Sequence, residues 1–160
     1  MAVVRLRPAA PSDARPLAEL FLRSRSAAMP WLVSPHEDAE AHGWMQHVVL
    51  PGRLVIVAEA VLASGPERLH GFLAMDGEWV EHLYVDPGAQ RRGVGTALLD
   101  AAKEQSPLRL WLHVFTRNGP ARRFYEGAGF QLVDSSDGTS NEEREPDCTY
   151  TWSASVRASD

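Results

Sequence analysis

The sequence predicts a mixed α/β fold: a central, mostly antiparallel sheet of six or seven strands with helices on both faces. Three observations predict it. Helical periodicity occupies two early stretches, a meander of apolar strands follows, and the rest of the chain alternates strand, helix, strand, helix, strand, strand. At 160 residues, the length favours one domain spanning residues 1–160 around a single sheet.

Each element has a local reason. Val3 to Arg7 (VVRLR) alternates like a half-buried strand. Pro11, Ser12 and Asp13 announce a helix whose apolar face is Leu17, Leu20, Phe21 and Ala28. MPWLVSP, from Met29 to Pro35, breaks it before a second helical stretch carrying Trp44, Met45 and Val48. RLVIVAEAV, from Arg53 to Val61, reads as a largely buried strand. Leu69 to Met75 and Trp79 to Val85 are strands joined by Asp76-Gly77, a strong hairpin signal. After Pro87-Gly88 a helix places Val94, Ala97, Leu98 and Ala101 on one side, and Leu108 to Phe115 returns to strand. Asn118-Gly119-Pro120 opens a short helix with Ala121, Phe124, Tyr125 and Ala128, which Gly127 or Gly129 ends. Phe130 to Val133 and Cys148 to Trp152 are the last strands, with a polar loop from Asp134 to Asp147 between them.

Composition narrows the function classes. Hydrophobic residues make up 44% and charged residues 23%, the balance of a globular chain. A net charge of −5 argues against a nucleic-acid partner, which needs a concentrated basic face. The single cysteine, Cys148, excludes an internal disulfide and a cysteine-rich zinc site. His42 and His47 are five apart, off the i, i+4 spacing of a helical metal pair, so no metal is expected. The N-terminus lacks a signal-peptide core and no apolar run reaches the roughly 20 residues of a membrane span. A cytoplasmic location away from membranes is the expectation.

The stretch that carries chemistry is LYVDPGAQRRGVGT, Leu83 to Thr96: a strand, a turn, and glycines where a helix begins. Gly93 and Gly95 have no side chains to keep a ligand from the backbone N–H groups. The helix dipole favours negative charge at the same place, and Arg91 and Arg92 add cations. A pyrophosphate suits such a site. A phosphate-binding P-loop would need Lys then Ser or Thr after its last glycine, yet Thr96-Ala97 follow Gly95. A dinucleotide fingerprint would need a small residue where Leu98 stands.

A second motif lies downstream: Asn118, then a short helix, then Tyr125-Glu126 and Gly129-Phe130. With Gln90-Arg91-Arg92-Gly93-Val94-Gly95 before it, the chain resembles the GNAT superfamily of N-acetyltransferases over roughly Glu59 to Trp152. The resemblance implies acetyl-CoA as cosubstrate. Backbone groups of Leu83, Tyr84 and Val85 would bond its pantetheine arm along a strand splayed from a parallel neighbour. Amides from Gln90 and Arg91 through Arg92, Gly93, Val94, Gly95 and Thr96 would hold its pyrophosphate. Asn118 would hydrogen-bond near the pantetheine, Phe124 would pack on the cofactor, and Tyr125 would protonate the leaving thiolate.

The chemistry needs an amine that has lost a proton, since one with a pKa near 10 is mostly charged at neutral pH. Glu81 is the candidate base, directly or through water. Alternation would put it on the face of Trp79, Leu83 and Val85, among apolar neighbours that would raise its pKa. His82, on the other face, is the second choice, and His113 reads as a core histidine. Met29 and Trp31 occupy the segment that in the family lines the acceptor pocket. The acids from Asp134 to Asp147 read as a solvated loop or as a negative rim attracting a cationic amine. Acetylation of a small-molecule primary amine is the leading expectation. The alternatives are acetylation of a protein N-terminus or lysine, and a non-catalytic acetyl-CoA sensor. A homodimer is possible through apolar strand ends near the C-terminus.

Overall fold

A computed structural model describes residues 3–32, 38–61 and 68–154. Seven strands form one sheet in the order β1-β2-β3-β4-β5-β7-β6. They are β1 (Val3–Pro8), β2 (Leu54–Val61), β3 (Arg68–Asp76), β4 (Trp79–Val85), β5 (Arg109–Phe115), β6 (Gln131–Ser136) and β7 (Asp147–Ser153). All neighbours run antiparallel except β4 and β5, which are parallel. The mixed, mostly antiparallel sheet with one parallel pair is therefore observed. Among the described residues no helix is long and apolar enough to cross a membrane.

Helices cover both faces. On one side α1 (Ala14–Ala28) and α2 (Asp38–Trp44) pack Leu17, Leu20, Phe21 and Met45 against Val55, Val57, Phe72 and Ala74 of β2 and β3. On the other, α3 (Val94–Gln105) and α4 (Gly119–Gly127) pack Val94, Leu98, Leu99 and Tyr125 against Leu73, Leu110, Leu112 and Tyr150. The first helix was expected to bury Ala28, but Ala28 is exposed and Ser24 is buried instead. After Trp44, α2 continues through a π-helical stretch, Met45–Val49, and a last turn, Leu50–Gly52. A π turn admits an extra residue, so the phase slips by one. Met45 and Val49 face the core, and Val48, expected there, is half exposed.

One charge lies within the buried strand β2. Glu59 is fully buried, and β1 supplies its partners: Arg7 Nε donates to Oε2 at 3.0 Å, and Arg5 Nε to Oε1 at 3.0 Å. Arg7 also forks onto Asp13 at 2.8 and 3.0 Å, holding that carboxyl below the usual range. These pairs tie the first strand to the start of α1, because a buried carboxylate left unpaired would cost several kcal/mol (about 3–5).

The strand that builds the site departs from regular alternation. Ala74 lies opposite His82 but Met75 lies opposite Val80, so Glu81 is an extra residue in β4. As a result Val80 joins Leu83 and Val85 in the α3 core, while Tyr84 packs on the α1 side. The expectation that Glu81 shares a face with Leu83 and Val85 fails for this reason: the bulge takes the place of strict alternation. The pairing of β4 with β5 is also brief. Trp79 is in register with Trp111, whose N–H donates to Glu78 O at 2.9 Å, and from there the two strands have no further partners in register.

Two other expectations need correction. Leu108 precedes β5 and is 77% exposed. His113 is exposed rather than buried, because Leu110, Leu112 and Val114 take the core positions of β5.

Candidate active site

The two sequence motifs meet where β4 and β5 separate. Past Val85, Asp86 caps a short turn, its carboxylate accepting from Gly88 N at 3.0 Å and from Arg23 at 2.6 Å. Gln90 to Gly93 then turn into α3. Arg91 and Gly93 both have positive φ, 64° and 80°, which orients successive amides toward one concavity. The first intrahelical bond runs from Ala97 N to Gly93 O at 3.0 Å, so the amides at the start of α3 have no partner within the helix. A Cβ at Gly95 would lie 3.3 Å from the Phe124 ring, so a side chain there would press on α4.

This turn forms one wall of a cavity of about 640 Å³ that runs beside Leu83, Tyr84 and Val85. Gln90, Arg91, Gly93, Val94, Gly95 and Thr96 line it, together with Phe124, which lies against Gly95. Arg92 does not line it; the side chain is exposed. Without β5 in register here, the outer edge of β4 can bond to a ligand instead of a strand. An elongated anionic molecule with amide groups fits a groove of free amides, a glycine floor and an open strand edge.

A second cavity, of about 670 Å³, opens on the α1 side. Met29, Leu83, Tyr84, Asn118, Ala121 and Tyr125 line both cavities and make the passage between them. Asn118 holds α4 in place by accepting from Ala121 N at 3.3 Å. Tyr125 is 9% exposed, packed edge-on against Phe124 and Phe130 at 5.2 and 5.6 Å. Burial and then the nearby Tyr84 raise its phenol above the ordinary value, so it is protonated at neutral pH and able to donate.

The inner wall of the second cavity is aromatic. Phe21 lies 5.0 Å from Trp44 and 5.1 Å from Tyr84, and His82 lies 5.1 Å from Trp44. Burial pushes His82 down to about 4, against a smaller upward pull from Glu81, so its imidazole is neutral near pH 7. The rim is acidic: among the described residues, Glu40, Glu81, Glu142, Glu143 and Asp147 line the cavity against one guanidinium, Arg25. Arg25 lies over the Phe21 ring at 5.6 Å and 3.4 Å from Glu143.

The structure brings together most of the residues expected from sequence. Glu81 reaches the rim, but not among apolar neighbours: its side chain is 32% exposed and Arg53 Nε donates to it at 2.6 Å. Met29 is buried between the cavities, whereas Trp31 lines neither; it packs on Phe115 at 6.1 Å beneath the Arg117 guanidinium at 4.6 Å. Val33, Ser34 and Pro35 of the same expected segment lie outside the described residues. Sequence reasoning missed Arg25 and assigned Phe21 and Trp44 to helix faces alone. The acids of the β6–β7 loop were the one available signal for the rim.

Comparison with known proteins agrees with this geometry. The family model described as an acetyltransferase (GNAT) domain matches residues 51–132. The peptidyl-lysine N-acetyltransferase YiaC of Escherichia coli (strain K12) is 31% identical over 137 residues, 81% of this chain and 84% of that protein. The solution structure of the apo form of YjaB from Escherichia coli superposes with a TM-score of 0.75 at 24% identity, covering 96% of this chain and 99% of that one. The PaiA N-acetyltransferase of Thermoplasma acidophilum, solved in complex with coenzyme A, gives 0.68 at 19% identity over 94% and 99%. With two adjoining cavities on a splayed strand pair, the first motif walling one and residues of the second motif lining both, the chain belongs to the GNAT family of acetyl-CoA-dependent N-acetyltransferases.

Proposed function

We propose that the acceptor is the side-chain amine of lysine in a polypeptide, rather than the small-molecule amine favoured by the sequence alone. The observation that carries this reading is the acid-rimmed, aromatic-walled cavity meeting the anion-binding groove at Tyr125. A lysine side chain has the matching form, a cationic tip on an apolar stem. The similarity to a peptidyl-lysine N-acetyltransferase supports the same choice.

Acetyl-CoA supplies an acyl group already activated as a thioester. Leu83, Tyr84 and Val85 would hold its amide-bearing arm through backbone groups, and the Gln90 to Thr96 turn its phosphates. Asn118, with its oxygen engaged by Ala121 N, retains an NH₂ donor for the same arm. The rim carboxylates draw in the ammonium. The rings of Phe21, Trp44 and Tyr84 then strip water from it, which favours the neutral amine. Its proton leaves through water toward the rim. Glu81 is the carboxylate that β4 contributes to the rim, acting through water because Arg53 already engages it. The amine nitrogen bonds to the carbonyl carbon, the C–S bond breaks, Tyr125 gives its proton to the departing sulfur, and the proton shed by the new amide nitrogen passes through water to restore the phenol.

The test compares acceptors for the purified protein with acetyl-CoA, reading thiol release and product mass. A lysine peptide with a blocked N-terminus should exceed diamines and aminoglycosides in kcat/KM by at least about tenfold, a margin of about 1.4 kcal/mol. The reverse order would return the acceptor to small molecules. Acetylation of a lysine-free peptide at its N-terminus would assign the α-amine, and binding of acetyl-CoA without thiol release to any acceptor would make the protein a sensor.

A further inference from the structure

Away from the passage, the open face of the sheet carries aromatic residues that neither core requires. Leu110, Leu112 and Val114 supply the buried side of β5, so its other side, Trp111 and His113, is free of packing duty under α3. Trp79, 37% exposed, stacks on Trp111 with ring centroids 5.9 Å apart and on His113 at 4.8 Å. His113 Nδ1 is 3.1 Å from Thr149 Oγ1, and Arg109 flanks Trp111 at 5.9 Å. Three rings are thus held in a row at the one point where β4 and β5 pair.

The row is continuous with the acceptor cavity. His113 and Phe115 line that cavity, while Trp79 and Trp111 lie beyond it. From Phe115 back to Trp111 is four residues of strand, about 13 Å at 3.3 Å per residue. An extended chain whose lysine enters at Phe115 covers the same distance with three or four residues.

We propose that Trp79 and Trp111 form an exosite for the segment flanking the acceptor lysine, where an apolar or aromatic residue three or four positions away stacks. The proposal rests on the polypeptide-lysine reading. A small amine would fill the cavity without reaching the row. A second copy of this chain is a poor occupant, since three aromatic side chains bury at most about 750 Å² even when wholly covered. A stable interface needs about 800 Å² per partner. Arg109 borders the row with charge, as the polar rim of a small recognition site does. Paired, preordered aromatics are the side chains that give the most contact for the least ordering cost.

The experiment uses two acceptors: a blocked peptide of about ten residues with an aromatic residue four positions from its lysine, and Nα-acetyl-lysine amide. Trp111→Thr and Trp79→Thr should each raise KM for the long peptide about tenfold, leaving kcat, the short acceptor and acetyl-CoA affinity as in the wild type. Trp79→Phe should restore most of the loss, and thermal melting shows whether each variant is folded. An equal effect on both acceptors, or none on the long one, overturns the exosite. A wild-type dimer that Trp111→Thr dissociates overturns it too, giving the face to a second copy. A wild type that modifies neither lysine acceptor refutes the lysine reading and this proposal with it. A wild type that modifies both equally well refutes only the exosite.

Discussion

The two cavities that meet at Tyr125 are built from different materials. The groove beside α3 is made of backbone: unpaired amides, a positive-φ glycine and a strand edge without a neighbour. The second cavity, where we place the acceptor, is made of side chains from α1, α2, β4, β5 and the β6–β7 loop, remote in sequence and brought together only by folding. Backbone sites demand particular residues at fixed spacing, so they leave a motif. Side-chain sites are satisfied by many combinations, so one fold can present different acceptors beside the same groove.

Gly93→Val gives the sharpest test of a groove made of backbone. At φ 80° a β-branched residue is strained, although a Cβ there would meet nothing within 4 Å. The protein should fold, as judged by circular dichroism, yet lose acetyl-CoA affinity about a hundredfold or more by calorimetry. Retained affinity would mean that side chains such as Arg91, not amides, hold the anion.

Tyr125→Phe tests the joint between the two. Ring packing against Phe124 and Phe130 is kept while the proton donor goes, so turnover should fall about 10²–10⁴-fold with acetyl-CoA affinity within a few-fold of the parent. A turnover within about twofold, with chemistry limiting, would assign the thiolate's proton elsewhere.

The smallest effect concerns the side-chain cavity, through His82. Its folded pKa of about 4 lies below the unfolded value of 6.5, so the unfolded chain binds more protons between these pH values. Stability should therefore be fully present above about pH 6.5 and decline as pH falls toward 4, by up to about 3 kcal/mol. Denaturant melts of wild type and His82→Phe across this window separate the contribution from that of the carboxylates. Parallel curves would show that the aromatic wall is wetter than its ring contacts imply.

The same division explains what could be read in advance. The strands, the helices and the Gln90 to Thr96 turn were legible because each depends on local periodicity or on glycines at set positions, whereas the parallel pair followed from the family resemblance. Tyr125 and Asn118 followed from the second motif. The environment of Glu81 was not legible: a single extra residue in β4 reversed the faces, and its partner, Arg53, lies 28 positions earlier, just before β2. Val48 was misplaced by the same kind of one-residue slip, in a helix rather than a strand. Arg25 and the ring cluster were invisible because a helix face that packs a core and one that lines a cavity have the same pattern.

The brief contact between β4 and β5 has a mechanical consequence. Strands β1 to β4 and strands β5 to β7 form two leaves, joined by one register pair at Trp79 and Trp111 and sealed along one face by the core under α3. Such a sheet is stiff within each leaf and compliant across the seam, so bending concentrates at the line where the two cavities meet. A molecule bonded along the free edge of β4 acts as a removable tie between the leaves, and its binding energy appears as rigidity. Closing the seam with a longer ladder would strengthen the sheet and fill the groove, so at this line rigidity and activity cannot rise together.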